Sequence, residues 1–204
     1  NDFAHVEGGA SQVALSSASG LGRRGYSVVL FSAVAPAPSA CLEHVKIICT
    51  QQHEVIHDPV RIRAAVQGLW NVTAARELRN LLRELDPSRT IVHVHGWTKS
   101  LSSSVIRTAQ DAGFKIVCTL HDYFTACPNG TFFNYSTDQI CHLAPLSTQC
   151  IICNCDRRSY GHKLWRVARQ VVQKTSGQMP HGLRHFITVS DFSEAILRPF
   201  LPPQ

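Results

Sequence analysis

The sequence predicts an α/β fold, a parallel sheet with helices on both faces. Two hydrophobic periods, one helical and one strand-like, alternate along the chain in βαβ order, and cap or turn residues mark the junctions. Val13, Leu15, Ala18 and Leu21 fit a helix that stops near Gly25, and the run Ser-Val-Val-Leu-Phe at 27–31 reads as a buried strand ended by Pro36 and Pro38. A second strand is expected at 45–49. Helical spacing follows Pro59, and again runs from Asn71, a good N-cap, through Val72, Ala75, Leu78, Leu82 and Leu85 to Asp86-Pro87. A strand at 90–94, a helix at 101–112 with Gly113 as its stop, and a strand at 115–120 continue the series.

From 121 to 156 the pattern breaks into an irregular segment rich in Cys, Asn, Pro and Thr, which needs either a function or an internal cross-link to hold it. A basic helix is then expected over 159–174, with Leu164, Trp165, Ala168, Val171 and Val172 as its apolar stripe. A last strand follows at 186–189. Ser190 or Asp191 caps a short helix, Asp191 and Glu194 having capping-box spacing, and 201–204 looks like the start of a linker. The Gly-rich turn Glu7-Gly8-Gly9-Ala10 should follow a strand, so the leading strand is expected upstream of Asn1 or the chain is a trimmed fragment.

Composition narrows the classes. At 204 residues the chain can build one large core, and no window approaches the ~18 apolar residues of a membrane span. With no basic-then-apolar start, the expected location is cytoplasmic. Lys and Arg outnumber Asp and Glu by 20 to 14, with much of the excess between Arg157 and Arg184. Such a patch suits anionic lipid or a phosphorylated ligand, or is a solvated helix face. It lacks the aromatic interleaving of a nucleic-acid surface, so no nucleic acid is expected. Five of the eight cysteines crowd between Cys127 and Cys155, and in a reducing compartment that points to metal before disulfides.

Several residues carry chemistry. Gly8 and Gly9 open a helix, whose N–H groups and dipole could face an anion. His121-Asp122 directly follows a predicted strand, at the carboxyl edge where open α/β sheets bind ligands, and an imidazole there can hydrogen-bond a sugar hydroxyl or developing charge. His93 and His95 flank Val94, one assigned to each side of the strand or its exit. His95 is the better ligand candidate and His93 the buried, hydrogen-bonded core residue. Cys150 and Cys153 give a C-x2-C pair, Cys150 and Cys155 a C-x4-C pair, and Cys127 and Cys141 complete either tetrahedral set for structural zinc. Spacing alone favours Cys153, and His142 is a substitute ligand. Free thiols and a disulfide are the competing states.

Taken together, Gly8-Gly9, Arg23-Arg24-Gly25-Tyr26, His93-Val94-His95-Gly96, Thr119-Leu120-His121-Asp122-Tyr123, Pro128-Asn129-Gly130 and Thr188-Val189-Ser190-Asp191-Phe192 resemble the group 1 family of retaining glycosyltransferases. The ordered set covers nearly the whole chain. The resemblance implies the Rossmann-like N-terminal half of a GT-B fold, a single acceptor-side domain over 1–204 with a Cys-rich loop at 121–158. The family's donor-binding C-terminal domain is absent, and the fragment alone is expected to be inactive. Further implied are a nucleotide-sugar donor approached by Gly8 and Gly9, and His121 as the catalytic contact to the transferred sugar. His95, Asp122 and Tyr123 are then acceptor contacts, and with the basic balance of the chain the expected acceptor is a glycan or lipid-linked envelope substrate met at the inner face of the membrane. Likeness to glycosyltransferases with a similar loop favours Cys155 over Cys153 as the fourth zinc ligand. Two other readings compete: a non-catalytic, zinc-stapled binding module for a protein or nucleic-acid partner, and an NAD-dependent enzyme. The latter lacks the third glycine and the acidic residue of the dinucleotide fingerprint.

Overall fold

The computed structural model describes residues 1–36 and 42–203; Pro38 and Cys41 lie outside them. The fold is α/β with parallel sheets, as expected. Helix α1 (Gly9–Arg23) leads to β1 (Val28–Ser32), with Gly25 at φ 86° making the turn that a side chain would strain. Strand β1 pairs in parallel with β2 (Val45–Cys49), Val28 opposite Val45. Helices α2 (Arg61–Leu69) and α3 (Val72–Leu82) follow, then β3 (Ile91–Val94), α4 (Ser104–Asp111) and β4 (Lys115–Leu120). Strands β3 and β4 pair in parallel with each other, and β4 pairs with β7 (His185–Thr188), giving the order β3-β4-β7.

The main core lies where α3 and α4 cover this sheet. Ala74, Leu78 and Leu82 share one face of α3 at helical spacing and meet Val105, Ile106 and Ala109 of α4 over Ile116, Cys118 and Leu120 of β4. Asn71 caps α3 as expected: its side chain accepts from the Ala74 N–H, and the residue is wholly buried. The helix ends at Leu82, and Leu85 packs on the core from the turn beyond it.

The 121–156 segment contains short regular pieces, a hairpin of β5 (Phe133–Asn134) and β6 (Gln139–Ile140) and the helix α5 (Thr148–Ile152). Helix α6 (Tyr160–Thr175) differs most from expectation. Leu164, Ala168 and Val171 of the proposed apolar stripe are exposed, while Lys163, Val167, Arg169, Gln170 and Gln173 are buried. The reason is the irregular segment, whose carbonyl groups need donors. Gln170 Nε2 donates to the carbonyls of Thr125 and Ala126, and Gln173 Nε2 donates to that of Phe124 at 3.2 Å. Arg166 donates to the backbone and side-chain oxygens of Asn129. The basic excess is therefore partly turned inward, leaving Arg157, Arg158 and Arg184 exposed.

Helix α7 (Asp191–Leu197) is capped by Ser190, whose hydroxyl accepts from the Ser193 N–H. The capping box expected of Asp191 and Glu194 is not formed; Glu194 pairs with Arg198 one turn on.

Candidate functional site

Because β3, β4 and β7 are parallel, their carboxyl ends share one edge, and β3 and β4 deliver His95 and His121 there side by side. His95 Nδ1 lies 3.1 Å from His121 Nε2, with the rings stacked 5.4 Å between centroids. His93 Nε2 lies 2.8 Å from Thr119 Oγ1, and its ring is 4.1 Å from that of His95. The expectation that His93 and His95 face opposite ways is corrected: positions two apart share a face of a strand. His93 is also exposed rather than buried, since β3 is an edge strand, whereas His95 is the buried one.

All three imidazoles are held below the usual histidine pKa, so the cluster is neutral near pH 7. Burial is the main cause for each. His95 falls to about 3, with His93, the N-terminal amine and His121 adding to the burial effect. A neutral His95–His121 pair shares one proton along its hydrogen bond. When His121 Nε2 accepts it, the ring's Nδ1 carries a hydrogen and can donate to a ligand oxygen. When Nε2 donates, Nδ1 becomes an acceptor.

The amino-terminal residues tie this edge together, which sequence reading missed. Phe3 bridges Val34 in parallel just beyond β1, and Asn1 Oδ1 accepts from the Gly96 N–H. The buried Asp2 carboxylate accepts from the N–H groups of Lys99, Ser100 and Leu101 at 2.9–3.0 Å. The loop after His95 is thus pinned at its far end. A carboxylate amid three successive backbone donors has no periodic signature, so only geometry reveals it.

Gly8 and Gly9 begin α1 on the same chain segment. The Ser11 hydroxyl accepts from the N–H groups of Glu7 and Gly8, and a Cβ on Gly8 or Gly9 would meet nothing within 4 Å. Both glycines are exposed, and the first-turn donors at Gly9 and Ala10 face no helical partner. Asp122 is also exposed and accepts from the Phe124 N–H; crowding by surrounding protein raises its carboxyl pKa, against the pull of Arg169 and Lys99. Burial lowers Arg169 to about 10; its guanidinium sits 4.4 Å over the Phe124 ring and donates to the Thr98 carbonyl. Tyr123 is half-buried, its ring edge-on to Phe132, so packing uses much of its side chain.

Among the expected zinc ligands, Cys127, Cys150 and Cys155 are buried and Cys141 is half-exposed. Among the described residues, no group of three or more His, Cys, Asp or Glu side chains is arranged to hold a metal ion. Lys163 lies beside two of these sulfurs, its Nζ donating to Cys155 Sγ at 3.2 Å and to Cys150 Sγ at 3.6 Å. Burial pushes the Cys155 thiol up, against the pull of Lys163. The loop is held by hydrogen bonds: Asn129 Nδ2 donates to the carbonyls of Phe133 and Cys155, and Ser136 Oγ to that of Asn154. The buried Asp156 binds His162 and Arg166.

Among the described residues, no helix is long and apolar enough to cross a membrane. The family model described as Glycosyltransferase Family 4 matches residues 7–203. No curated protein and no solved structure matches the chain.

Proposed function

We propose a place in sugar transfer for this chain, which belongs to Glycosyltransferase Family 4: it shapes the acceptor side of a cleft in which a nucleotide sugar gives its sugar to a glycan or lipid-linked acceptor. The observation that carries this reading is the neutral His95–His121 pair at the carboxyl edge of β3 and β4. Neutrality matters, because an imidazole that carries no charge keeps one ring nitrogen as an acceptor, so the pair can either donate to or accept from a sugar hydroxyl, whereas an imidazolium can only donate. His95, buried and fixed by its neighbours, sets the orientation of the His121 ring.

In this reading, Gly8 and Gly9 let the donor phosphate approach the first N–H groups of α1 without a side chain in the way. Asp122 and part of Tyr123 border the acceptor. A second domain supplies the rest of the donor site, and transfer retains the anomeric configuration. The exposed Arg157, Arg158 and Arg184 support a peripheral contact with anionic lipid at a membrane face.

The test uses the full-length enzyme that carries this chain. A panel of nucleotide sugars is offered with glycan and lipid-linked acceptors, and nucleoside diphosphate release is followed. Acceptor-dependent release is expected with one donor, and the product's anomeric configuration reports the stereochemical course. A folded enzyme that releases nothing with any pair contradicts the reading.

A further inference from the structure

The carboxyl edge that carries His95 and His121 has a third contributor. Strand β7 lies beside β4 with Thr119 opposite Ile187 and Leu120 opposite Thr188, so the chain leaves β7 about one strand spacing, ~5 Å, from where His121 leaves β4. Residues opposite each other in this register share a face, which sets Ile187 on the side where the Thr119 hydroxyl meets His93. Ile187, Val189 and Phe192 are 48%, 52% and 70% exposed. Apolar residues scattered singly over a surface need no explanation, but here three fall within the six residues at one strand exit. Among the described residues no Phe, Tyr or Trp is more exposed than Phe192.

We propose that Phe192 is a stacking platform for a pyranose ring of the acceptor, with Asp191 beside it taking ring hydroxyls, so that the group presented to His121 is itself a sugar. A pyranose is amphipathic. Its hydroxyls project around the edge, while C–H bonds line its faces, and those hydrogens carry a partial positive charge that suits the negative face of an aromatic ring. The carboxyl edge has the same division: the exits of β3 and β4 offer imidazoles, and the exit of β7 offers apolar side chains and an open aromatic face.

A ligand seated in the gap between the exits of β4 and β7 meets both surfaces. An acyl chain would suit Ile187, Val189 and Phe192, but it would leave the imidazoles facing hydrocarbon with no hydrogen-bond partner, a cost that a hydroxylated ring avoids. Asp191 is exposed and forms no ion pair among the described residues, so both carboxylate oxygens are open to sugar hydroxyls. The proposal rests on the sugar-transfer reading for the ring's role as acceptor, whereas the stacking itself does not depend on transfer.

Saturation-transfer difference NMR on the full-length enzyme tests it without turnover. Aromatic protons of the protein are saturated in the absence of donor, and methyl α- and β-glycosides of glucose, galactose, mannose and N-acetylglucosamine serve as probes. The wild type is expected to pass saturation to the C–H protons on one face of at least one glycoside. Phe192→Leu keeps apolar bulk at an exposed helical position and removes the aromatic face, so it should abolish that one-sided pattern, and Phe192→Tyr should restore it. In transfer assays Phe192→Leu should raise the acceptor KM by about 3- to 10-fold, the weight of one aromatic contact, without moving the donor KM. An unaltered pattern and acceptor KM in Phe192→Leu would overturn the proposal and leave sugar transfer standing. So would a panel in which no glycoside receives saturation. A one-sided pattern that depends on Phe192, in an enzyme that transfers no sugar, would uphold the stacking site and refute the transfer reading instead.

Discussion

Asn71 joins a helix cap to the loop behind the candidate site, and its substitution gives the sharpest test of how that loop is held. Its Oδ1 accepts from the Ala74 N–H at 2.9 Å, while its Nδ2 donates to the Ser100 carbonyl at 2.7 Å and to Gln52 Oε1 at 2.9 Å. Asn71→Ala removes the cap, at about 1 kcal/mol. It also leaves the buried Ser100 carbonyl without its donor, at about 1–3 kcal/mol. Allowing for overlap, a loss of roughly 2–4 kcal/mol is expected. Asn71→Asp keeps the cap acceptor but replaces the donor with an oxygen facing the Ser100 carbonyl, so it should destabilise at least as much. Urea unfolding followed by circular dichroism measures both, with the midpoint moving and the slope unchanged. An Asn71→Asp variant as stable as the wild type would refute the argument, because the cap alone would then account for the residue.

Other expectations follow from the same structure. The His95 pKa is depressed in the folded state, so the unfolded chain binds the extra proton first. Stability from this group is complete above about pH 6.5 and falls toward pH 3, by roughly 5 kcal/mol in all. His95→Gln should flatten that fall in urea titrations, and an unchanged acid profile would contradict the assignment. Gly68→Ala places a Cβ 2.5 Å from the Trp165 ring and should cost about 1–3 kcal/mol, readable as a lowered urea midpoint. A Cβ at Gly9 meets open space, so Gly9→Ala should shift stability by less than about 1 kcal/mol while raising the donor KM of the full-length enzyme. Gln170→Ala removes donors to the Thr125 and Ala126 carbonyls, and limited proteolysis should then cut that segment faster.

The strand–helix series was legible because apolar period and punctuation agree: β1, β2, β3 and β4 and the cap at Asn71 all stand within a residue or two of where the sequence puts them. His121 and His95 were legible as strand-exit residues. Their mutual contact required knowing that β3 and β4 are neighbours in register, which no local pattern states. Helix α6 stands where the sequence puts it, but its buried face is polar rather than the expected apolar stripe, its side chains turned toward loop carbonyls. A scan for apolar residues selects the opposite face. The signal that could have found it is the spacing of Lys163, Gln170 and Gln173 on one side, beside a segment with many backbone acceptors and little regular structure to satisfy them. At the cysteine cluster the spacing says nothing of Lys163, eight residues beyond Cys155, whose ammonium stands beside two of the sulfurs.

The central claim is that the strand-exit imidazole of His121 touches the transferring sugar. The turnover of His121→Ala in the full-length enzyme, set beside its urea midpoint, tests this most directly. If the ring supplies a preorganised hydrogen bond that strengthens in the transition state, kcat falls by about 30- to 1000-fold, equivalent to about 2–4 kcal/mol, while the midpoint stays close to that of the wild type. Transfer at the wild-type rate by the folded variant would contradict it.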